Sequence, residues 1–223
     1  MGQKVNPNGF RIGVIKDWNS QWYADKKTFA KYVLEDNNIR NFVNKKYVQC
    51  GISKVVIERT DKRLTVNIYA SRPGMLIGVK GAEIDVIKQE IAKLTNAKDI
   101  TINIREVKRP DLDATVVAQS IATQLEKRVA FKRASKMAIQ KTMKEGTKGV
   151  KVMVSGRLNG AEIARSEHFQ EGSLPLQTLR ANIDYGVATA HTTFGAIGVK
   201  VWIYKGDIIA KKSTKEVASD VNA

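Results

Sequence analysis

The chain has 223 residues, 43% of them hydrophobic, with 38 Lys or Arg against 22 Asp or Glu and a formal charge of +16. That apolar content supports a real core and excludes a tail or linker, while the cationic excess is more than solubility requires and points to a polyanionic partner. A lone Cys50 excludes an internal disulfide, and with only His168 and His191 beside it no zinc ligand set is expected; no apolar run is long enough to span a membrane.

The N-terminal stretch MGQKVNPNGFRIGV has no uninterrupted apolar region, so a cytoplasmic protein in a reducing compartment is expected, with an N-terminal arm over residues 1–16. Trp18, Trp22 and Tyr23 follow, suited either to core anchoring or to docking on RNA or a neighbouring protein. KKTFAKYVLEDNNIRNFVNKK (26–46) predicts a helix with Phe29, Val33, Phe42 and Val43 on its apolar face and basic residues at its end. ISKVVIERT (52–60) and RLTVNIYAS (63–71) predict two strands joined by a turn at Asp61-Lys62; in the second, Leu64, Val66, Ile68 and Ala70 alternate with polar residues.

Arg72-Pro73 ends that strand, because proline cannot donate to a ladder, and Gly74–Ile77 allows about one helical turn before the loop Gly78-Val79-Lys80-Gly81. Ile84, Ile87, Ile91 and Leu94 then recur at helical spacing, and ITINIRE (100–106) returns to period two. The order from residue 26 to 106 is α-β-β-α-α-β, with the glycine loop between two helices. VKRPDLDA (107–114) reads as a boundary, with Asp111 as N-cap of one long or slightly broken helix reaching about Lys144. VKVMVSGRL and AEIARSEHF flank Asn159-Gly160, which predicts a two-residue hairpin, since a type I′ turn needs positive φ at both central positions. Residues 181–191 and 196–204 predict a further strand pair across TTFG, and residues 207–223 a flexible tail.

Glycines at 78 and 81 free the backbone and remove side chains that would hold a ligand away, while Lys80 adds a cation and the next helix adds free N–H groups. A P-loop would continue Gly-Lys-Ser/Thr, but Gly81 is followed by Ala82-Glu83, and G-x-G-x-x-G is not matched either, so neither phosphoryl transfer nor dinucleotide binding is indicated. A GXXG loop between two helices of β-α-α-β is the pattern of a KH module, where the loop grips an RNA backbone; the extra helix and strand in front make it type II. Ile77 and Ile84 would line the adjoining base groove.

The second cationic feature is LEKRVAFKRASKMAIQKTMK, where Lys127, Arg128, Lys132, Arg133, Lys136, Lys141 and Lys144 occur with no acid between residues 127 and 144. At about 100° per residue, Lys132, Arg133 and Lys136 share an arc of roughly 100°, a patch able to follow a nucleic-acid backbone, with Phe131 suited to the core ahead of stacking on a base. An ordinary solvated helix face mixes signs to gain i,i+4 pairs, and this one does not. Arg72, Arg157 and Arg165 are further candidate RNA contacts; His168 and His191 have no nucleophile, base and orienter around them to suggest catalysis.

GQKVNPNGFRIG, RPGMLIGVKGAEI, RPDLDATVVAQSIATQLEKRVAFKRASKMAIQ, KVMVSGRLNGAEIARSE and HTTFGAIGVKVWIYKG together resemble the bacterial small-subunit ribosomal protein S-three family, in order from Gly2 to about Gly206. The resemblance implies an α+β protein: a type II KH domain over 17–107, then a second α+β domain over 108–206 with a long helix packed on a four-stranded, mainly antiparallel sheet. It implies a place in the head of the small subunit, binding rRNA beside ribosomal proteins S-ten and S-fourteen. It also implies that Lys132, Arg133 and Lys136 line the tunnel by which mRNA enters and assist its passive unwinding. No cofactor, small-molecule substrate or ATPase site is expected. Lys132 stands where many relatives have Arg, which keeps charge but loses the planar fork, and Val79 stands where Lys is frequent. A free KH-type RNA-binding regulator is the alternative; a DNA-repair nuclease or lyase would need clustered carboxylates or an activated lysine.

Overall fold

Two four-stranded sheets, each covered by helices, account for the two kinds of periodicity in the sequence. The computed structural model describes residues 4–60, 63–78, 81–95 and 99–208. Its elements are α1 (Pro7–Arg11), β1 (Ser20–Gln21), α2 (Lys26–Lys46), β2 (Ile52–Arg59), β3 (Arg63–Ala70), α3 (Pro73–Ile77), α4 (Ala82–Leu94) and β4 (Asp99–Glu106). They continue with α5 (Ala114–Glu126), α6 (Phe131–Lys144), β5 (Gly149–Gly156), β6 (Arg165–Gly172), β7 (Ala181–Thr192) and β8 (Gly195–Asp207). The turn at Asp61-Lys62 and residues 209–223 of the expected tail lie outside the described residues.

The first sheet has the order β1-β2-β3-β4, with β2 and β3 antiparallel and β3 and β4 parallel. Val66 and Ile68 on its inner face meet Ile39 and Val43 of α2, Leu76 of α3, and Ile87 and Ile91 of α4. The expected α-β-β-α-α-β order is present, with β1 added as a short parallel edge on β2.

The buried face of α2 differs in part from the expected one. Val43 is buried and Phe42 packs against the core as expected, but Phe29 and Val33 are 54% and 44% exposed, and Glu35, Asp36 and Ile39 turn inward in their place. The cause is Arg59 of β2, which is paired with Glu35 at 2.8 Å and Asp36 at 2.7 Å. Asp36 also accepts from Trp22 Nε1 at 2.8 Å and Ser20 Oγ at 2.9 Å, so Trp22 is an anchor while Trp18 stays exposed. A buried carboxylate pair reads as polar surface in the sequence, yet removing one partner of such a pair costs about 3–5 kcal/mol.

In the second half the helix expected as long or slightly broken is two separate helices. α5 starts at Asp113, not Asp111: the Asp113 carboxylate accepts from the N–H groups of Thr115 and Val116, and a short 3-10 turn occupies Pro110–Leu112. α5 ends after Glu126, where Arg128 adopts φ 62°, Arg128 N donates to Leu125 O at 2.9 Å, and Val129 N to Gln124 O at 3.0 Å. Those are the two bonds of a Schellman C-cap, with Arg in the left-handed position usually held by Gly. With no Gly or Pro there, the break left no trace in composition.

The second sheet has the order β6-β5-β8-β7, and every pairing is antiparallel. Its inner face, including Val150, Val152, Val199 and Val201, packs under α5 and α6 through Ala118, Ile121, Phe131 and Ile139. Gly186 allows the start of α5 to lie directly on β7: a Cβ there would collide with the backbone of Ala114. Asn159 and Gly160 do have positive φ, 56° and 79°, but they sit inside a longer loop, because the β5–β6 ladder closes at the pair Gly156 and Arg165. Leu158 is drawn into the core, and that burial peels the loop away from the ladder. β7 and β8 are joined by Thr193-Phe194 alone.

The arm crosses to this second sheet. Asn6 caps α1, and Arg11, 0% exposed, donates to the carbonyl oxygens of Ala181 at 2.7 Å, Leu176 at 3.0 Å, Thr178 at 2.9 Å and Pro7 at 3.1 Å. Lys16 reaches Asp184 at 3.4 Å, and Asp184 also receives Lys205 at 3.3 Å and Ala114 N at 3.2 Å. Burial pushes the Asp184 carboxyl up, but the two lysines and the Ala114 N–H outweigh it, and the net shift is downward. The halves also meet through Ser53, whose hydroxyl bonds the Asp113 carboxylate, and through Gln119 Nε2, which donates to Ile52 O at 3.3 Å.

Candidate nucleic-acid interface

The glycine loop has the backbone expected of it at the positions that can be described. Gly78 and Gly81 have φ of 68° and 84°, and a Cβ on Gly78 would come within 2.8 Å of Glu83 Cβ. Val79 and Lys80 lie outside the described residues. Glu83 is fixed by Tyr47, whose hydroxyl donates to Glu83 Oε1 at 2.6 Å; burial and this bond push the Tyr47 phenol well above its ordinary range. Glu83 and Asp85 both occupy the first turn of α4. Those carboxylates already face the positive end of the helix, so the loop is a weak receptor for another anion. Ile77 is exposed and Ile84 half-buried beside it; Arg72 is exposed at the start of α3.

The N-terminus of α6 has the opposite character. Its first turn carries no acid and no side-chain cap, Ala130 being unable to supply one, and nothing among the described residues accepts from Phe131 N or Lys132 N. Phe131, Ala134, Ser135, Ile139 and Thr142 are buried against the second sheet, so Lys132, Arg133 and Lys136 are exposed on the other side. Three exposed cations therefore flank a helix N-terminus at which the exposed Lys132 has no acceptor for its backbone N–H among the described residues, where macrodipole and side chains both favour phosphate.

Lys127 and Arg128 sit at the break immediately before this turn and extend the patch. Lys141 and Lys144 belong to the last turn of α6, about 12–17 Å along the axis from Arg133, and suit the negative end of that helix. Arg165 lies on the edge strand β6 and is paired with Glu167 at 3.0 Å, which halves its value as a phosphate contact. Arg157 is half-buried and braces its own loop, donating from Nε to Ala161 O at 2.9 Å.

The structure also shows a cleft of about 390 Å³ that the sequence did not reveal, between the α5–α6 break and two loops of the second sheet. Arg128, Arg157, His191 and Phe194 line it. Asn159-Gly160 carried only a turn signal; the legible hint was Phe194, an aromatic residue where a two-residue turn must expose it. His168 is exposed on β6, away from this cleft.

Among the described residues no group of three or more His, Cys, Asp or Glu is placed to hold a metal ion. Asp111 and Asp113 do not form a metal-binding pair, because Asp113 is engaged as a cap and by Ser53. Burial lowers the Lys16 ammonium, but Asp184 and Asn8 hold it as an ion pair and hydrogen-bond donor, which is a structural role. Among the described residues no helix is long and apolar enough to cross a membrane.

Two family models match this arrangement: a KH domain over residues 38–112 and "Ribosomal protein S3, C-terminal domain" over residues 121–203. The chain is 55% identical to the small ribosomal subunit protein uS3 of Clostridium botulinum strain Okra over 223 residues, covering 100% of both chains. It is 57% identical to the protein of that name from Clostridium tetani over 224 residues, again with 100% of each covered. With that of Caldicellulosiruptor bescii it shares 54% identity over 213 residues and 96% of each chain. A KH-type sheet with its glycine loop, a second sheet carrying a basic helix, and identity across the full length lead to one conclusion: the chain belongs to the ribosomal protein S3 (uS3) family.

Proposed function

We propose that this chain is a structural, non-catalytic constituent of the small ribosomal subunit in the cytoplasm, bound to rRNA in the subunit head beside ribosomal proteins S-ten and S-fourteen. Its parts are an arm over 1–16, a type II KH unit over 17–107, a second α+β unit over 108–206 and a tail. Lys132, Arg133 and Lys136 of α6 line the tunnel by which mRNA enters and hold the backbone of incoming strands, so that translocation against them helps to open structured mRNA. Arg72 and the GXXG loop contribute secondary rRNA contacts.

One observation carries this reading. The first two turns of α6 present three exposed cations, Lys132, Arg133 and Lys136, with no acid in the first turn, whereas the GXXG helix begins with Glu83 and Asp85. The strong phosphate site is therefore on the second sheet's helix. Gradient fractionation of a lysate tests the assignment to the subunit: co-migration with small subunits is expected, and a wholly free cytosolic pool would favour the alternative of a free KH-type regulator.

A further inference from the structure

We propose that the cleft at the α5–α6 break receives one unstacked nucleobase of single-stranded RNA, a site that rests on the reading of α6 as an RNA-facing helix. Phe194 forms the tip of the β7–β8 turn and is 58% exposed, outside every apolar cluster of the fold. Its ring lies 3.2 Å from where a Cβ on Gly160 would stand, so the bare glycine gives the ring its seat. Arg157 is held beside it, its Nη1 donating to Phe194 O at 3.4 Å. An exposed aromatic ring in a cleft that a guanidinium also lines is a combination on which bases stack irrespective of sequence.

The charges in the cleft separate base from backbone. Glu126 lines it and accepts from His191 N at 3.0 Å, so a carboxylate is fixed inside, where it turns phosphate away and leaves the space to an uncharged base. The Arg128 guanidinium has no hydrogen-bond or ion-pair partner among the described residues, and the residue's left-handed φ of 62° sets it between the cleft and the first turn of α6. The phosphates flanking the inserted base then fall to Arg128 and Lys132. The left-handed conformation of a non-glycine residue at this point thereby acquires a use.

The test is a fluorescence titration of the full chain with a short unstructured RNA carrying one 2-aminopurine, whose emission is quenched on stacking. Phe194→Ala is expected to abolish the quenching and weaken binding about ten-fold without changing the salt slope, since stacking releases no counterions. Phe194→Tyr retains both, and an abasic site in place of the 2-aminopurine weakens the parent by the same factor. Phe194 is outside the core, so an unchanged thermal midpoint verifies folding. If Phe194→Ala binds and quenches like the parent, the base site is wrong. Lys132, Arg133 and Lys136 changed together to Ala separate the two readings in the same titration. A reduced salt slope there with no effect of Phe194→Ala overturns the cleft alone; no change of affinity or slope overturns the RNA-facing helix itself.

Discussion

Arg11 Nε donates to the carbonyl oxygen of Ala181 at 2.7 Å across 170 positions of sequence, and the same guanidinium reaches Leu176 O and Thr178 O from its far side. A five-residue helix too short to be stable alone is thereby locked to the second sheet. Arg11→Ala leaves several carbonyls without donors, and a loss of about 3 kcal/mol is expected in urea unfolding. Arg11→Lys recovers little of it, because a point charge cannot span four acceptors as the planar fork does.

The Asp184 hub makes a pH prediction. Its carboxyl is held below the ordinary 3.8, so the stability it contributes is complete above that value and is lost as pH falls from there through the lowered folded value. Asp184→Asn should flatten the acid limb of the stability curve and cost about 1–2 kcal/mol at neutral pH, a figure reduced for the group's partial exposure. Unfolding midpoints measured from neutral to strongly acidic pH provide the comparison.

Arg128→Gly separates stability from binding. Glycine occupies the left-handed C-cap position without the steric cost that arginine bears, so the variant should gain up to about 1 kcal/mol. The same change removes a cation next to Lys132, and RNA affinity should fall with a salt slope smaller by about 0.7 for one lost single-strand phosphate contact. Thermal melts and salt-dependent RNA titrations measure the two effects independently.

Ser135, on the inner face of α6, is completely buried, and its hydroxyl has no hydrogen-bond partner among the described residues. Ser135→Ala removes an unsatisfied polar group while keeping helix propensity, so a gain of about 1 kcal/mol in denaturant unfolding is expected with RNA binding unaltered.

These sites show which parts of the molecule were legible in the sequence. Strict alternation identified β3 and β4, and the spacing of Ile87 and Ile91 identified α4, because in those elements burial and apolarity coincide. The first half of the α2 face departs from the apolar pattern for the converse reason: Glu35 and Asp36 are inside, paired with Arg59 of β2. The α5–α6 break was hidden because Arg128 does what glycine usually does. The exposed basic face of α6 was readable from the absence of acids. The cleft was not, since Phe194, Gly160 and Arg128 come together only through the topology of the second sheet.

The most direct measurement of the central claim is the rate at which ribosomes containing Lys132, Arg133 and Lys136 all changed to Ala translate through an mRNA hairpin, compared with unstructured mRNA of equal length. All three side chains are exposed, so subunits should assemble and translate the unstructured message at the parental rate, while passage through the hairpin slows several-fold. Passage through the hairpin at the parental rate would contradict the account.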